Sequence, residues 1–509
     1  MPVRATARFR VGGTRRGGVG RTGPLARSGV HLYIGCPQGD AMPDCRQRVR
    51  PRDPGRPRHD EPGRVMSVFK AYDIRGTYPD QLDEELARRI GGAFVKLTGA
   101  RSVAVGRDMR SMAPSVSDAF IEGVTRAGAD AVRIGLASTP MTYYAIGSLG
   151  VDGGAMCTAS HNPEGYIGFK FCRKGCVPVS GETGIMDMER MVGEPEPAPA
   201  ATAGSVTDMD VMEGYVEHVM GFAQDVKPMK VVVDVANAMG GYALPHLIER
   251  MGLDCHVLFP ELDGTFPNHE ANPLKEDTLR WLQEAVRTQE AELGIAYDGD
   301  ADRVVFVDRS GRTVRSDFIT AAFAEDILAR EPGAAVVYDL RSSRATKEAI
   351  ESAGGRAIRE RVGHSFIKAT MREGGAVLGG ELSGHYYFRD NYVSDSGDIA
   401  MVVLLSILSR RGLGLRELVA PYARYSATGE VNFVVVDPDA KMAALKAAFP
   451  DGEYDELDGV TIQFEEWWFN VRKSNTEPLL RLNLEAANPE MRDARSDEVR
   501  KLLGTPVEE

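Results

Sequence analysis

Cysteine is scarce in this chain, with six among 509 residues. Six thiols over that length do not make a disulfide framework, and such usage suits a reducing cytoplasm. Cys172 and Cys176 form a C-x3-C pair, but no second Cys or His pair at matching spacing completes a zinc site, so both read as small interior hydrophobes. Long apolar runs are missing as well. The longest, residues 399–408, spans ten positions and includes Ser406, whereas a membrane-spanning helix needs about 20. No segment is expected to cross a bilayer. Neither G-x-x-x-x-G-K-[ST] nor a strand-linked G-x-G-x-x-G occurs, which removes the phosphate cradles of P-loop kinases and dinucleotide enzymes. The absence of G-x-S-x-G argues against an α/β-hydrolase nucleophile.

Lysine is absent from residues 1–65, which hold 14 arginines against five acids, a net of +9, with 11 glycines and eight prolines. The rest of the chain carries 47 bases against 68 acids, a net of −21. The basic stretch lacks periodic apolar residues and is expected to be disordered. Arg15 and Arg16 are followed by no apolar segment, so an export signal is not expected. The stretch reads either as a nucleic-acid or targeting arm or, more simply, as an upstream extension, with the patterned protein starting at Met66. The acidic body should repel nucleic acid and anionic membranes.

At ~100 to 200 residues per domain, this length predicts three or four domains. From Met66 the pattern is β-α-β. Leu82, Leu86, Ile90, Phe94 and Leu97 share a helical face with Gly99 as the stop, followed by a strand at residues 102–105, a helix at 114–127 and a strand at 131–134. The layout returns at the apolar strands 231–233 and 335–338, giving three related α/β units. Residues 193–204, with three prolines and no apolar period, read as a linker. After Thr428 the pattern becomes α+β, with strand-like stretches at 431–436, 460–464 and 479–484 and helices at 440–448 and 489–503. The expected fold is thus α/β, with three related domains (66–203, 204–311, 312–424) and a smaller C-terminal α+β domain (425–509).

Three loops could carry chemistry. Asp298-Gly-Asp-Ala-Asp-Arg303 lies between apolar runs at 293–297 and 304–307, which sets three carboxylates on a tight turn at a strand end. Carboxylates at alternate positions converge only around something positive. An EF-hand loop would need Gly where Arg303 stands and Glu where Arg309 stands. A few carboxylates with room for a phosphate oxygen describe a Mg2+ site, although such a loop alone is as readily a solvated acidic turn. Thr158-Ala-Ser-His-Asn-Pro163 exposes a hydroxyl, an imidazole and an amide; alone it is an Asn-Pro turn, and beside a magnesium loop its serine becomes a candidate phosphoryl carrier. Lys170 is close to it in sequence. Arg472-Lys-Ser-Asn-Thr-Glu-Pro478 is rich in donors and could clamp a phosphate or form a plain basic turn.

Together with Phe69-Lys-Ala-Tyr-Asp-Ile-Arg-Gly76 and Gly380-Glu-Leu-Ser-Gly-His385, these segments, in this order, resemble the α-D-phosphohexomutase superfamily, in particular bacterial phosphomannomutase/phosphoglucomutase. The resemblance runs from Met66 to the C-terminus. It implies four domains around a central active-site cleft, with Ser160 as phosphoryl carrier and Asp298, Asp300, Asp302 and the phosphoserine oxygen binding Mg2+. Arg75, His161, Lys170 and Arg303 match positions around the transferring phosphate, and His385 with Lys170 would serve as general acid and base. Tyr72, Glu381 and Ser383 match sugar-binding positions, and Gly363 and His364 match a loop that orients the sugar. Arg472, Ser474, Asn475 and Thr476 would hold the phosphate that does not react. One departure is Ile167, where the family usually has Asn.

A single carrier serine and a single clamp require two transfers, with a hexose 1,6-bisphosphate between them and a sugar that turns around. That intermediate is retained by a clamp on a separate domain, hinged near residues 421–429. The implied partners are hexose phosphates. Leu382 favours mannose or glucose phosphate, because glucosamine mutases generally carry Gln there. A phosphoglucosamine mutase is the rival within the class, and a sugar-phosphate phosphatase or a non-catalytic binder are rivals outside it.

Overall fold

A computed structural model describes residues 67–474 and 479–507. The readings of residues 1–65, of Met66 as a start, and of Asn475 and Thr476 lie outside the described residues.

The first helix, Glu84–Thr98, shows why the sequence pattern folds as it does. Asp83 accepts a hydrogen bond from the Leu86 amide, Gly99 closes the helix in the left-handed conformation, and Ala87, Ile90 and Phe94 form the buried face. That face packs on the helix Ala113–Arg126, whose Val116, Phe120 and Val124 are fully buried. The strands Ser102–Arg107, Asp130–Leu136 and Gly153–Cys157 pair in parallel beneath these helices. Tyr166–Arg173 then adds antiparallel to Gly153–Cys157, and Ile74–Thr77 antiparallel to Tyr166–Arg173. Ile167, opposite Gly76, is fully buried in this core, so the departure from the family pattern is met by apolar packing.

Residues 193–204 are not a free linker. The Ala200 and Gly204 amides donate to the carbonyls of Arg126 and Thr125, and Glu196 pairs with Arg88, so the segment straps the helical face. It leads into Val206–Asp208, which pairs in parallel with Asp130–Leu136. The first sheet therefore extends past the boundary expected at residue 203. Its backbone partners decide this, and composition does not encode them.

The second sheet orders Thr313–Val314, Val304–Asp308, Leu293–Tyr297, Lys230–Asp234 and Asp254–Leu258; the third orders Arg356–Glu360, Ala335–Asp339, Leu378–Gly380, Tyr386–Phe388 and Ser394–Asp395. Each has a parallel centre and antiparallel additions. The apolar run at 399–408 lies in Gly397–Arg411, a helix buried from Gly397 to Ser409 and shared by the cores of these two domains. A helix apolar all round belongs at such a junction. No described helix is long and apolar enough to cross a membrane.

The fourth sheet is wholly antiparallel, in the order Ser426–Val434, Leu479–Ala486, Trp467–Lys473, Val460–Gln463 and Glu453–Asp455, with the helices Pro438–Ala448 and Pro489–Leu503. Its separate core contains Phe433, Phe469 and Leu482. Three α/β domains and a smaller α+β domain are what the sequence pattern expects, though Thr313–Val314 pairs with Val304–Asp308 and carries the second sheet past the boundary expected at residue 311.

Candidate active site

The site is built at the carboxyl ends of parallel strands, where open α/β sheets leave a crevice. Gly153–Cys157 is fully buried and delivers Thr158, whose hydroxyl donates to Asp108 Oδ2 at 2.7 Å and accepts from the Ser160 amide at 2.9 Å. Ser160 has φ +50°, a conformation that costs a non-glycine residue about 1 kcal/mol or more. Arg110 holds it. This guanidinium, 1% exposed, donates to the carbonyls of Ser160 (2.9 Å), Asn162 (2.6 Å), Pro163 (2.7 Å) and Tyr166 (3.1 Å). Asp108 lies 3.3 Å from its Nε and balances its charge.

The facing loop comes from the hairpin of Leu293–Tyr297 and Val304–Asp308, which closes at the pair Tyr297 and Val304. Its backbone runs against the serine loop so closely that a Cβ on Gly299 would sit 2.2 Å from the Ser160 carbonyl oxygen. This approach sets the Ser160 hydroxyl 2.9 Å from Asp298 Oδ2 and 3.3 Å from His161 Nδ1. Arg303 Nε donates to the same Asp298 oxygen at 2.9 Å, and its Nη2 faces His161. Burial, helped by the neighbouring Arg303, holds the His161 imidazole well below its ordinary value and keeps it neutral.

Asp298, Asp300 and Asp302 are buried and each offers an oxygen within 4.8 Å of the others. Lys170, on Tyr166–Arg173, places its ammonium 2.6 Å from Asp300 Oδ2 and against Asp302, while Thr139 donates to Asp300 at 2.5 Å. Burial, with repulsion from Asp302 and Asp300, pushes the Asp298 carboxyl up to about 6 against the pull of Arg303. Asp300 Oδ1 is buried and accepts no hydrogen bond among the described residues. Mutual repulsion and an unused carboxylate oxygen fit a hard divalent cation. Burial opposes the charge on Lys170, but Asp300 and Asp302 outweigh it and raise its pKa.

His385 joins the cluster from the third domain, with Nε2 3.4 Å from Asp302 Oδ1 and Nδ1 3.0 Å from the Ser383 hydroxyl. Burial again works against its charge, and Asp302 and Glu381 reverse the balance and raise its pKa. The third-domain loop is pinned to the acid loop by the Val304 amide, which donates to the Gly384 carbonyl at 3.0 Å. Glu381 is 2% exposed and accepts from the Tyr387 hydroxyl. Tyr72 donates to the Val362 carbonyl at 3.1 Å and its ring lies 5.5 Å from that of His364, which follows Gly363 at the start of the helix His364–Gly374.

These four domains also match, in chain order, family models described as phosphoglucomutase/phosphomannomutase alpha/beta/alpha domain I (residues 66–190), domain II (213–311), domain III (315–425) and the C-terminal domain (430–502). The chain belongs to the phosphoglucomutase/phosphomannomutase family. Among its relatives, the phosphohexose mutases of Xanthomonas campestris are 38% identical over 448 residues, covering 86% of this chain and 99% of theirs. A phosphomannomutase of Escherichia coli is 36% identical over 86% of this chain and 99% of its own. The phosphomannomutase/phosphoglucomutase of Pseudomonas aeruginosa is 37% identical, over 83% and 92%. A crystal structure of a phosphoglucomutase/phosphomannomutase family protein from Burkholderia thailandensis superposes with a TM-score of 0.80 at 33% identity, covering 86% of this chain and 97% of that one.

Among the family positions expected from the sequence, Ser160, His161, Lys170, Asp298, Asp300, Asp302, Arg303, Ser383 and His385 share one contact network. Arg75 instead pairs with Asp73 and Asn162. Arg472 and Ser474 sit on the fourth domain, where Arg472 donates to Glu430 at 2.7 Å. A polar line connects the two ends: Glu430 is 3.8 Å from Arg341, which is 3.9 Å from Glu381, which is 3.7 Å from His385. Sequence reasoning missed Asp108, Arg110, Thr139, Arg341 and Glu430. Asp108 and Arg110 lie within five residues of the strand predicted at 102–105, just past the carboxyl end of Ser102–Arg107, and that position is the signal that would have found them.

Proposed function

We propose that the protein interconverts hexose 6-phosphate and hexose 1-phosphate, with mannose phosphate preferred and glucose phosphate also accepted, through phosphoserine at Ser160 and a hexose 1,6-bisphosphate. The observation that carries this reading is the Ser160 hydroxyl 2.9 Å from Asp298 in a buried carboxylate triplet. Asp298, Asp300, Asp302 and an oxygen of phosphorylated Ser160 would hold Mg2+, which supplies charge neutralisation to the transferring group.

Phosphoryl transfer asks the protein mainly for positioning and electrostatics. In the first transfer the bond from Ser160 Oγ to phosphorus breaks as a sugar hydroxyl bonds to that phosphorus, and a proton passes from the hydroxyl to Oγ. The second transfer reverses these changes at the other end of the turned sugar. Lys170 and His385, both against Asp302, are placed to deliver a proton to a leaving oxygen and take one from the next attacking hydroxyl. Arg303 and Arg75 supply positive charge beside the serine loop. Glu381 and Ser383 would grip sugar hydroxyls, the Gly363 and His364 turn with Tyr72 would orient the ring, and Arg472 with Ser474, Asn475 and Thr476 would hold the other phosphate.

Mannose and glucose differ at the 2-hydroxyl. The preference for mannose is supported by the names of the relatives, and Leu382 in the sugar loop favours either of these sugars over glucosamine. The free thiols of Cys157, Cys172, Cys176 and Cys255 suit a cytoplasmic enzyme.

Parallel rates on mannose, glucose and glucosamine 1-phosphates, with free phosphate monitored, test the reading. Mannose and glucose phosphates should isomerise with little phosphate released. Preference for the glucosamine substrate would shift the assignment to a phosphoglucosamine mutase, and phosphate release at the isomerisation rate would replace it with a phosphatase.

A further inference from the structure

The carboxylate of Glu430 sits where guanidinium groups from two domains converge. Its Oε2 accepts from Arg472 Nη2 at 2.7 Å and lies 3.8 Å from Arg341 Nη1, its Oε1 accepts from Arg481 at 3.0 Å, and the Asn483 amide reaches Oε2 at 3.4 Å. Sheet register builds this place: Arg472 lies directly opposite Arg481, and Glu430 directly opposite Asn483. Glu430 follows Gly429 (φ +73°) at an irregularity between Ala427 and Glu430, which turns the strand where the acid enters. Arg341 comes from the third domain, just beyond Ala335–Asp339.

An arginine 3% exposed beside two more is costly without an anion. A carboxylate that engages arginines through both oxygens offers them what two oxygens of a phosphate would offer. We propose that Glu430 is an internal stand-in for phosphate: in the ligand-free enzyme its carboxylate fills the anion place of the clamp, and the non-reacting phosphate of a hexose phosphate displaces it. The proposal rests on the reading of Arg472 as part of the clamp.

Two consequences follow from charge. A phosphate dianion gains more from the arginines than the single charge it displaces, whereas a sugar carboxylate gains little, so Glu430 makes the clamp selective for phosphate. The Glu430 side chain is 25% exposed, so once displaced it has solvent to turn into. Its contact with Arg341 crosses from the third domain to the fourth, and the bonds from Arg344 to Glu485 and to the Phe464 and Trp467 carbonyls join the same two domains without it.

The test is competitive inhibition of the full-length enzyme by inorganic phosphate, measured together with KM for hexose 1-phosphate. E430Q removes the competing charge, and E430D keeps a charge too short to reach the arginines, which separates occupancy from a field acting through space. Both should lower the phosphate inhibition constant and KM by about three- to tenfold, as loss of a partly exposed competing ion pair allows. An inhibition constant that stays the same or rises in either variant would overturn displacement and leave Glu430 as a prop for Arg472. R472K checks the underlying reading separately. It should raise both constants, and if it changes neither, the clamp assignment fails whatever Glu430 does.

Discussion

Ser160 and Asp298 stand 138 positions apart in the chain, and the serine hydroxyl donates to Asp298 Oδ2 across 2.9 Å. The contact joins the first domain to the second, since each loop ends a strand of a different sheet. A hydroxyl set against a carboxylate triplet is placed to carry a phosphoryl group beside a cation. Ser160→Ala should therefore abolish mutase turnover while the melting temperature stays close to that of the parent, because Arg110 and Thr158 hold the loop through its backbone. A coupled assay with a thermal melt measures both, and full turnover in this variant would remove the phosphoserine mechanism.

Asp300→Asn tests the cation site. Asp300 accepts from Thr139 and Lys170 through Oδ2 and leaves Oδ1 to the cluster. The amide keeps the shape and loses the charge, so turnover should fall about a hundredfold or more, as loss of charge at a phosphoryl centre predicts. Its Mg2+ titration should move to higher concentration. A titration that matches the parent would count against the triplet as the cation site.

The four-domain division was legible because hydrophobic period and turn residues are local: Gly99 caps a helix whose apolar face repeats every three or four residues. The acid loop was legible for the same reason, as two apolar strands flank it. Arg110 was not. Its role depends on carbonyls of residues 160–166, some 50 positions away, and a buried arginine looks like any other in the sequence. Glu430 was missed for a similar reason, since strand register and a third-domain arginine give it meaning. The strap at residues 193–204 misled because backbone hydrogen bonds leave no mark on composition.

Arg110→Lys separates positioning from charge. The ammonium keeps the balance with Asp108 but cannot reach four carbonyls as the planar fork does. kcat should fall by about tenfold or more while KM changes little, because a misplaced Ser160 harms the transfer and not the clamp. An unchanged kcat would show that the serine loop holds its shape without the arginine.

Gly299→Ala probes the approach of the two loops. The added Cβ would lie 2.2 Å from the Ser160 carbonyl oxygen and 2.7 Å from its carbon, both backbone atoms that cannot step aside alone. The loops must separate, which should cost stability by ~1 to 3 kcal/mol, as overpacking does, and should also lower turnover. Calorimetry and the mutase assay check the pair of effects. An alanine variant with parental stability and rate would mean that the two loops are not held together as described.

A pH-sensitive pair lies in the second domain. His269 Nε2 faces both Asp234 carboxylate oxygens, at 3.2 and 3.1 Å, and its Nδ1 faces the Glu270 carbonyl oxygen at 2.8 Å. Both ring nitrogens thus meet acceptors, an arrangement that only the doubly protonated imidazolium satisfies. Burial opposes that charge, but Asp234 outweighs it, and the pKa stands above its ordinary value of 6.5. A group whose pKa is raised by folding adds stability that is full below its unfolded value and disappears as pH rises through the folded one. Stability from His269 should therefore be complete at pH 5.5 and decline through neutrality into the alkaline range. His269→Gln can still donate to Asp234 but does not titrate. The stability difference between parent and variant should shrink steadily from pH 5.5 to 8.5 in denaturant melts, and a difference that stays level over that range would show that the histidine does not gain its proton on folding.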